Sequence, residues 1–198
     1  MDMVSELSRI LGEKTCIVGM GNYYRNDDAA GLYVIDGLKN AVTKPGIEIL
    51  NVEDVLESYI FFITDKTISN VLIIDAVMAD CEPGSVVFGN VKDLEEITRT
   101  VSSHKMSLDV ACRIFGESGK NTYLLGIAAE NIDFGTSMTA EVKQTADLLL
   151  DLLKSIIAEK PVSDKIEVKS FPREYMMEKG TAVQAKITAK PDVHTKQD

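Results

Sequence analysis

The chain has 198 residues and a formal net charge of −10 at pH 7, from 31 acidic and 21 basic side chains. A surface so short of positive charge argues against a nucleic-acid binder and against a protein held on anionic lipid. The acids are concentrated in residues 1–160, which carry 25 of them against 14 bases, while residues 161–198 carry 6 acids and 7 bases.

The apolar spacing of Met3, Val4, Leu7, Ile10 and Leu11 predicts a short amphipathic helix. Thr15–Met20 is a brief apolar run ending in Gly-Met-Gly, a buried strand that enters a tight turn. Asp27 or Asp28 then opens a helical pattern through Leu32, Ile35 and Leu38. Ile47–Val52 reads as a second strand, Asp54–Asp65 as a helix, and Asn70–Val77 as a third strand, rich in β-branched residues. Pro83-Gly84 turns the chain into a fourth strand over Ser85–Gly89, followed by a short helix over Asp93–Thr100. A helix over Ser107–Phe115, a fifth strand over Thr122–Ala129 and a long helix over Thr139–Ala158 complete the pattern. Strands alternating with helices predict an α/β fold of three layers: a central, twisted, mostly parallel (mixed) sheet of five strands with helices on both faces.

Residues 1–160 are read as this α/β domain. Residues 161–198 are read as a C-terminal extension, partly structured or disordered, with a short strand at Ile166-Glu167-Val168 and an interrupted helix at Tyr175–Lys186. No run approaches the ~20 apolar residues that span a bilayer, so no membrane insertion is expected. The acidic start of the chain lacks the apolar stretch of a secretory leader. Cys16, Cys81 and Cys112 are widely spaced and form no C-x-x-C pair, which points to a reduced, cytoplasmic protein.

Ligands in open α/β sheets bind beyond the carboxyl ends of the strands. Three polar clusters fall there: Gly19–Gly31 after the first strand, Asp75 at the end of the third, and Ser102-Ser103-His104 before the helix at Ser107. A dinucleotide reading of Gly19-Met20-Gly21 meets Tyr24 where the third glycine belongs, and two carboxylates where a phosphate would sit. Asp27 and Asp28 have an ordinary role open to them as helix caps, worth ~1 kcal/mol. Asp75, directly after an apolar run, requires a compensating partner. His104 alone is more simply a capping or buried histidine. Together, two carboxylates and an imidazole form an O,O,N set suited to a borderline divalent ion such as Ni²⁺ or Zn²⁺. None of the cysteines stands beside a histidine as a nucleophile.

At these residues the sequence resembles the hydrogenase maturation endopeptidases, which trim the C-terminus of the large subunit of nickel–iron hydrogenases. Gly19-x-Gly21-Asn22-x-x-Arg25-x-Asp27-Asp28-x-x-Gly31, Ile73-Ile74-Asp75-Ala76 and Ser102-x-His104-x-x-x-Leu108 carry the resemblance, in the family's order and spacing. The resemblance implies a peptidase in which Asp28, Asp75 and His104 form the metal-recognising and catalytic site, with Asp27 supporting Asp28. Nickel, presented by the substrate, is the implied metal, and other divalent ions are expected to substitute. The implied partner is a hydrogenase large-subunit precursor, cut after nickel insertion by an activated water. The alternative from another class is a non-catalytic chaperone that senses nickel at the same residues.

Overall fold

The computed structural model describes residues 2–79, 81–93, 105–163, 166–170 and 183–190. Helix α1 spans Met3–Gly12 and is N-capped by Asp2, whose carboxylate accepts from the Ser5 amide. Strand β1 (Thr15–Met20) leads through a 3₁₀ turn (Asn26–Ala29) into α2 (Ala30–Lys39). Strand β2 (Ile47–Glu53) is followed by a second 3₁₀ turn (Leu56–Tyr59), α3 (Ile60–Asp65) and β3 (Asn70–Val77). Then come β4 (Val86–Asn90), a 3₁₀ turn at Val91–Asp93, α4 (Lys105–Glu117), β5 (Asn121–Ala128) and α5 (Ala140–Ile157). Strands β6 (Ile166–Ser170) and β7 (Val183–Ala189) close the described chain.

All seven strands form one sheet in the order β2-β1-β3-β5-β4-β7-β6. The first four are mutually parallel. Strand β4 runs antiparallel to β5, and β7 and β6 continue with antiparallel pairings. The mixed, mostly parallel α/β architecture is the expected one, but the sheet has seven strands where five were predicted. The two added strands come from the C-terminal extension. Val183–Lys186, expected within a helix, belongs instead to β7. There Val183, Ala185, Ile187 and Ala189 alternate with polar Gln184, Lys186 and Thr188, the period of a strand with one covered face. The helix expected over Asp54–Asp65 is split at Tyr59 into the 3₁₀ turn and α3. Residues 94–100 of the helix predicted at Asp93–Thr100 lie outside the described residues, as do Tyr175–Ala182 and His194.

Alternation along the strands divides the core in two. Leu72 and Ile74 of β3 pack with Ile17, Val34, Ile35, Leu149 and Leu153 under α1, α2 and α5. Val71 and Ile73 face the other way, with Val18, Leu56, Ile60, Leu108 and Phe115 under α3 and α4. A sheet buried on both faces explains why the central strands read as unbroken apolar runs.

Strand order places the site. From β1 the chain leaves by α2 on one face to reach β2. From β2 it returns by α3 on the other face to β3, on the opposite side of β1. The β1/β3 boundary is therefore the switch point of the winding, where a crevice opens beyond the strand ends.

Candidate active site

Gly19 of β1 stands in register with Ile74 of β3, so Met20, the last residue of β1, comes level with Asp75, two residues before β3 ends at Val77. The 3₁₀ turn carrying Asp27 and Asp28 packs against β3. How it comes so close is set by two glycines. A Cβ on Gly31, in the first turn of α2, would overlap the carbonyl oxygens of Ile74 and Met20. A Cβ on Gly21 would overlap the carbonyl oxygen of Asp28, and Gly21 has φ +137°, a conformation that glycine adopts at little cost. The start of α2 is thus seated directly on Met20 of β1 and Ile74 of β3, and the turn that carries Asp28 packs on the strand that carries Asp75. Both carboxylates are buried, at 1% and 0% exposure. Burial keeps water away and sharpens any charge they meet.

The two adjacent aspartates do different work. Neither caps α2, whose N-cap position is Ala29 with no side-chain hydrogen bond. Asp27, fully buried, turns toward the segment between β5 and α5. Its Oδ2 accepts from the backbone amides of Glu130 at 3.0 Å and Asn131 at 2.9 Å. Its Oδ1 accepts from the Thr139 amide at 2.6 Å and the Thr139 hydroxyl at 3.1 Å. The Asp27 amide in turn donates to the Asn131 carbonyl. A buried carboxylate is tolerable where amides satisfy it, and here those amides belong to another loop. Asp27 thus fastens residues 130–139 to the turn that carries Asp28.

Further contacts fix the loop after β1. The Tyr23 hydroxyl donates to Asp36 Oδ2 at 2.6 Å, and Asn51 of β2 donates from Nδ2 to both Tyr23 and Asp36. Burial and the neighbouring Asp36 carboxylate push the Tyr23 phenol above its ordinary value, so it remains a donor at neutral pH. This network leaves no mark in the sequence, because its members are scattered over three elements.

His104 and Ser102-Ser103 lie outside the described residues. Their neighbour α4 starts at Lys105 and ends before β5, so its first turn is at the strand-end side of the sheet. Its Leu108 shares a core with Leu56, just beyond β2. Among the described residues no group of three His, Cys, Asp or Glu side chains is arranged to hold a metal ion. Burial pushes the thiols of Cys16 and Cys112 up to about 12, which leaves them protonated and poorly nucleophilic. Among the described residues no helix is long and apolar enough to cross a membrane.

The fold is that of an α/β protein with two buried carboxylates, Asp28 and Asp75, near the switch point of its sheet. A family model described as HycI, hydrogenase maturation protease, matches residues 32–156, a segment that includes Asp75 and His104. The chain belongs to the hydrogenase maturation protease family, and it is a peptidase. It is 28% identical over 155 residues to a Methanocaldococcus jannaschii protein, covering 74% of this chain and 90% of that relative, whose name assigns it provisionally to the same family. The crystal structure of a [NiFe] hydrogenase maturation protease HycI from Thermococcus kodakarensis KOD1 matches with a TM-score of 0.65 and 26% identity, covering 77% of this chain and 99% of that one. A [NiFe] hydrogenase maturation protease HybD from Thermococcus kodakarensis matches with a TM-score of 0.58 and 25% identity, over 75% of this chain and 99% of that one.

Proposed function

We propose that this peptidase removes a C-terminal peptide from a nickel–iron hydrogenase large-subunit precursor once nickel has been inserted, and that Asp28, Asp75 and His104 recognise the nickel. The observation that carries the reading is the burial of both Asp28 and Asp75 at the β1/β3 switch point, where the turn that carries Asp28 packs on β3. Two carboxylates and an imidazole fit a borderline ion such as Ni²⁺, which takes oxygen and nitrogen donors. Other divalent ions of similar preference substitute for it. The nickel belongs to the substrate, so the scissile bond is brought to the carboxylates only when the precursor is loaded. One carboxylate takes a proton from the attacking water, the oxygen adds to the scissile carbonyl, and the proton passes to the departing amine. Asp27 supports this arrangement by holding its loop. The cytoplasm, where thiols stay reduced, is the compartment this reading assigns.

The test is mass analysis of the precursor C-terminus after incubation with the chain, with and without nickel. Shortening is expected only for nickel-loaded precursor. Asp28→Asn, Asp75→Asn and His104→Ala should each keep a native far-UV spectrum and lower cleavage by roughly 10²–10⁴-fold. Undiminished cleavage by any one variant removes that residue from the site. Equal cleavage of nickel-free precursor overturns the nickel dependence, and binding of loaded precursor without shortening points instead to a sensing chaperone.

A further inference from the structure

Each of the four parallel strands is followed by an exposed large apolar side chain. After β1 come Tyr23 and Tyr24, after β2 Val55, after β3 Met78 and after β5 Phe134. These residues lie on the carboxyl-end side of the parallel strands, the side on which the β1/β3 crevice opens. Phe134 stands out, with 87% of its surface exposed, and Tyr24, at 63%, is beside it in the fold. A single exposed apolar residue is unremarkable. Here the backbone under Phe134 is held on both sides. The Gly135 amide donates to the Tyr24 carbonyl at 2.8 Å, and the Asn26 amide donates to the Gly135 carbonyl at 3.1 Å. Arg25 Nε donates to the Ile132 carbonyl, and Asn26 Nδ2 to that of Asp133. Asp27 anchors both ends of the loop through Glu130, Asn131 and Thr139. A loop tied down this firmly presents its aromatic ring in a fixed place, so little order is lost when a partner covers it.

Charge at the same rim narrows the partner. Glu53 at the end of β2, Asp54 just after it, and Glu130 and Asp133 near Phe134 are exposed acids. Arg25, the basic side chain of the loop after β1, is engaged with the Ile132 carbonyl. Apolar anchors among acids fit a protein surface that mixes apolar and basic side chains.

We infer that Phe134 and Tyr24 form the anchor of a docking surface for the precursor protein, which engages them with an apolar and basic segment bordering its cleavage site. This rests on the proposed function, because it takes the precursor to be the substrate. Asp27 ties the loop that carries Phe134 to the turn that carries Asp28, so a chain bound across Phe134 and Tyr24 lies next to that turn.

The test is calorimetric binding of nickel-free precursor to the full-length chain, together with cleavage kinetics on loaded precursor. Phe134→Ala and Tyr24→Ala should each weaken binding about tenfold and raise KM by the same factor, with kcat unchanged. Phe134→Tyr, which keeps a ring, should restore wild-type binding, and affinity should fall as salt rises. Wild-type affinity in both alanine variants overturns the docking surface. So does a wild-type self-association lost in Phe134→Ala with precursor affinity unaltered, which would make the ring a contact between copies of this chain. If the wild type binds precursor through these rings and never cleaves it, the docking surface stands and the proposed function falls. If it cleaves and the alanine variants match it in KM, the reverse holds. A wild type that does not bind precursor overturns both.

Discussion

Replacing Asp27 by alanine removes an acceptor from three backbone amides at once, those of Glu130, Asn131 and Thr139. A hydrogen bond to a charged group contributes about 1.5–3 kcal/mol. Three at the low end of that range give about 4–5 kcal/mol. Water reaching the partly buried loop returns some of this, so Asp27→Ala is expected to destabilise the fold by about 3–4 kcal/mol. Asp27→Asn keeps one carbonyl oxygen but sets an NH₂ group toward an amide, and should cost about 2 kcal/mol. Thr139→Val removes only the 3.1 Å hydroxyl contact and should cost no more than about 1 kcal/mol. Urea titration measures all three, with the slope unchanged so that the shift lies in the midpoint. If Asp27→Ala falls within about 1 kcal/mol of wild type, Asp27 is not the fastening of this loop, and the division of labour between the two aspartates is wrong.

Other outcomes follow from the same geometry. Gly31→Ala places a methyl against the carbonyls of Ile74 and Met20 and should cost at least about 2–3 kcal/mol. Gly12→Ala, with nothing near its added carbon, should raise the melting temperature slightly. Asp2→Ala removes the cap of α1 and should cost about 1 kcal/mol at neutral pH. Hydrogen bonds from the Ser5 hydroxyl and amide hold the Asp2 carboxyl below its ordinary 3.8. A depressed carboxyl stabilises above its unfolded value and loses that as pH falls through its folded value. The gap between wild type and Asp2→Ala, followed by denaturation across acidic pH, should therefore close only below about pH 4. In native protein at about pH 8, iodoacetamide should label Cys81 first and leave Cys16 and Cys112 until the chain unfolds.

The parallel half of the sheet was legible because its strands are buried on both faces and read as continuous apolar runs. Strand β3 is predicted and found over Asn70–Val77. The long helix, expected over Thr139–Ala158 and found over Ala140–Ile157, was legible through its period. The antiparallel extension was harder: β7 alternates weakly, with alanines at two of its four apolar positions and a glycine and several charges just before it. At the site, the sequence located Asp28 and Asp75 by their place after strands. It left Asp27 and Asp28 interchangeable as caps. What separates them is a set of backbone amides at Glu130, Asn131 and Thr139, and backbone amides leave no mark in a sequence. The same reason hid Phe134, which acquires meaning only from the loop that holds it.

The sheet order has a consequence for how this chain tolerates change. The carboxylates lie between β1 and β3, whereas β7 and β6 are laid on beyond β4 at the far margin. The segment matched by the family model stops at residue 156, before either of these strands begins. Growth of the sheet at that margin covers the open side of β4, which would otherwise offer its edge to another strand, and it moves no atom at the crevice. The chain can lengthen, shorten or vary there over evolutionary time while the chemistry stays fixed at the other side.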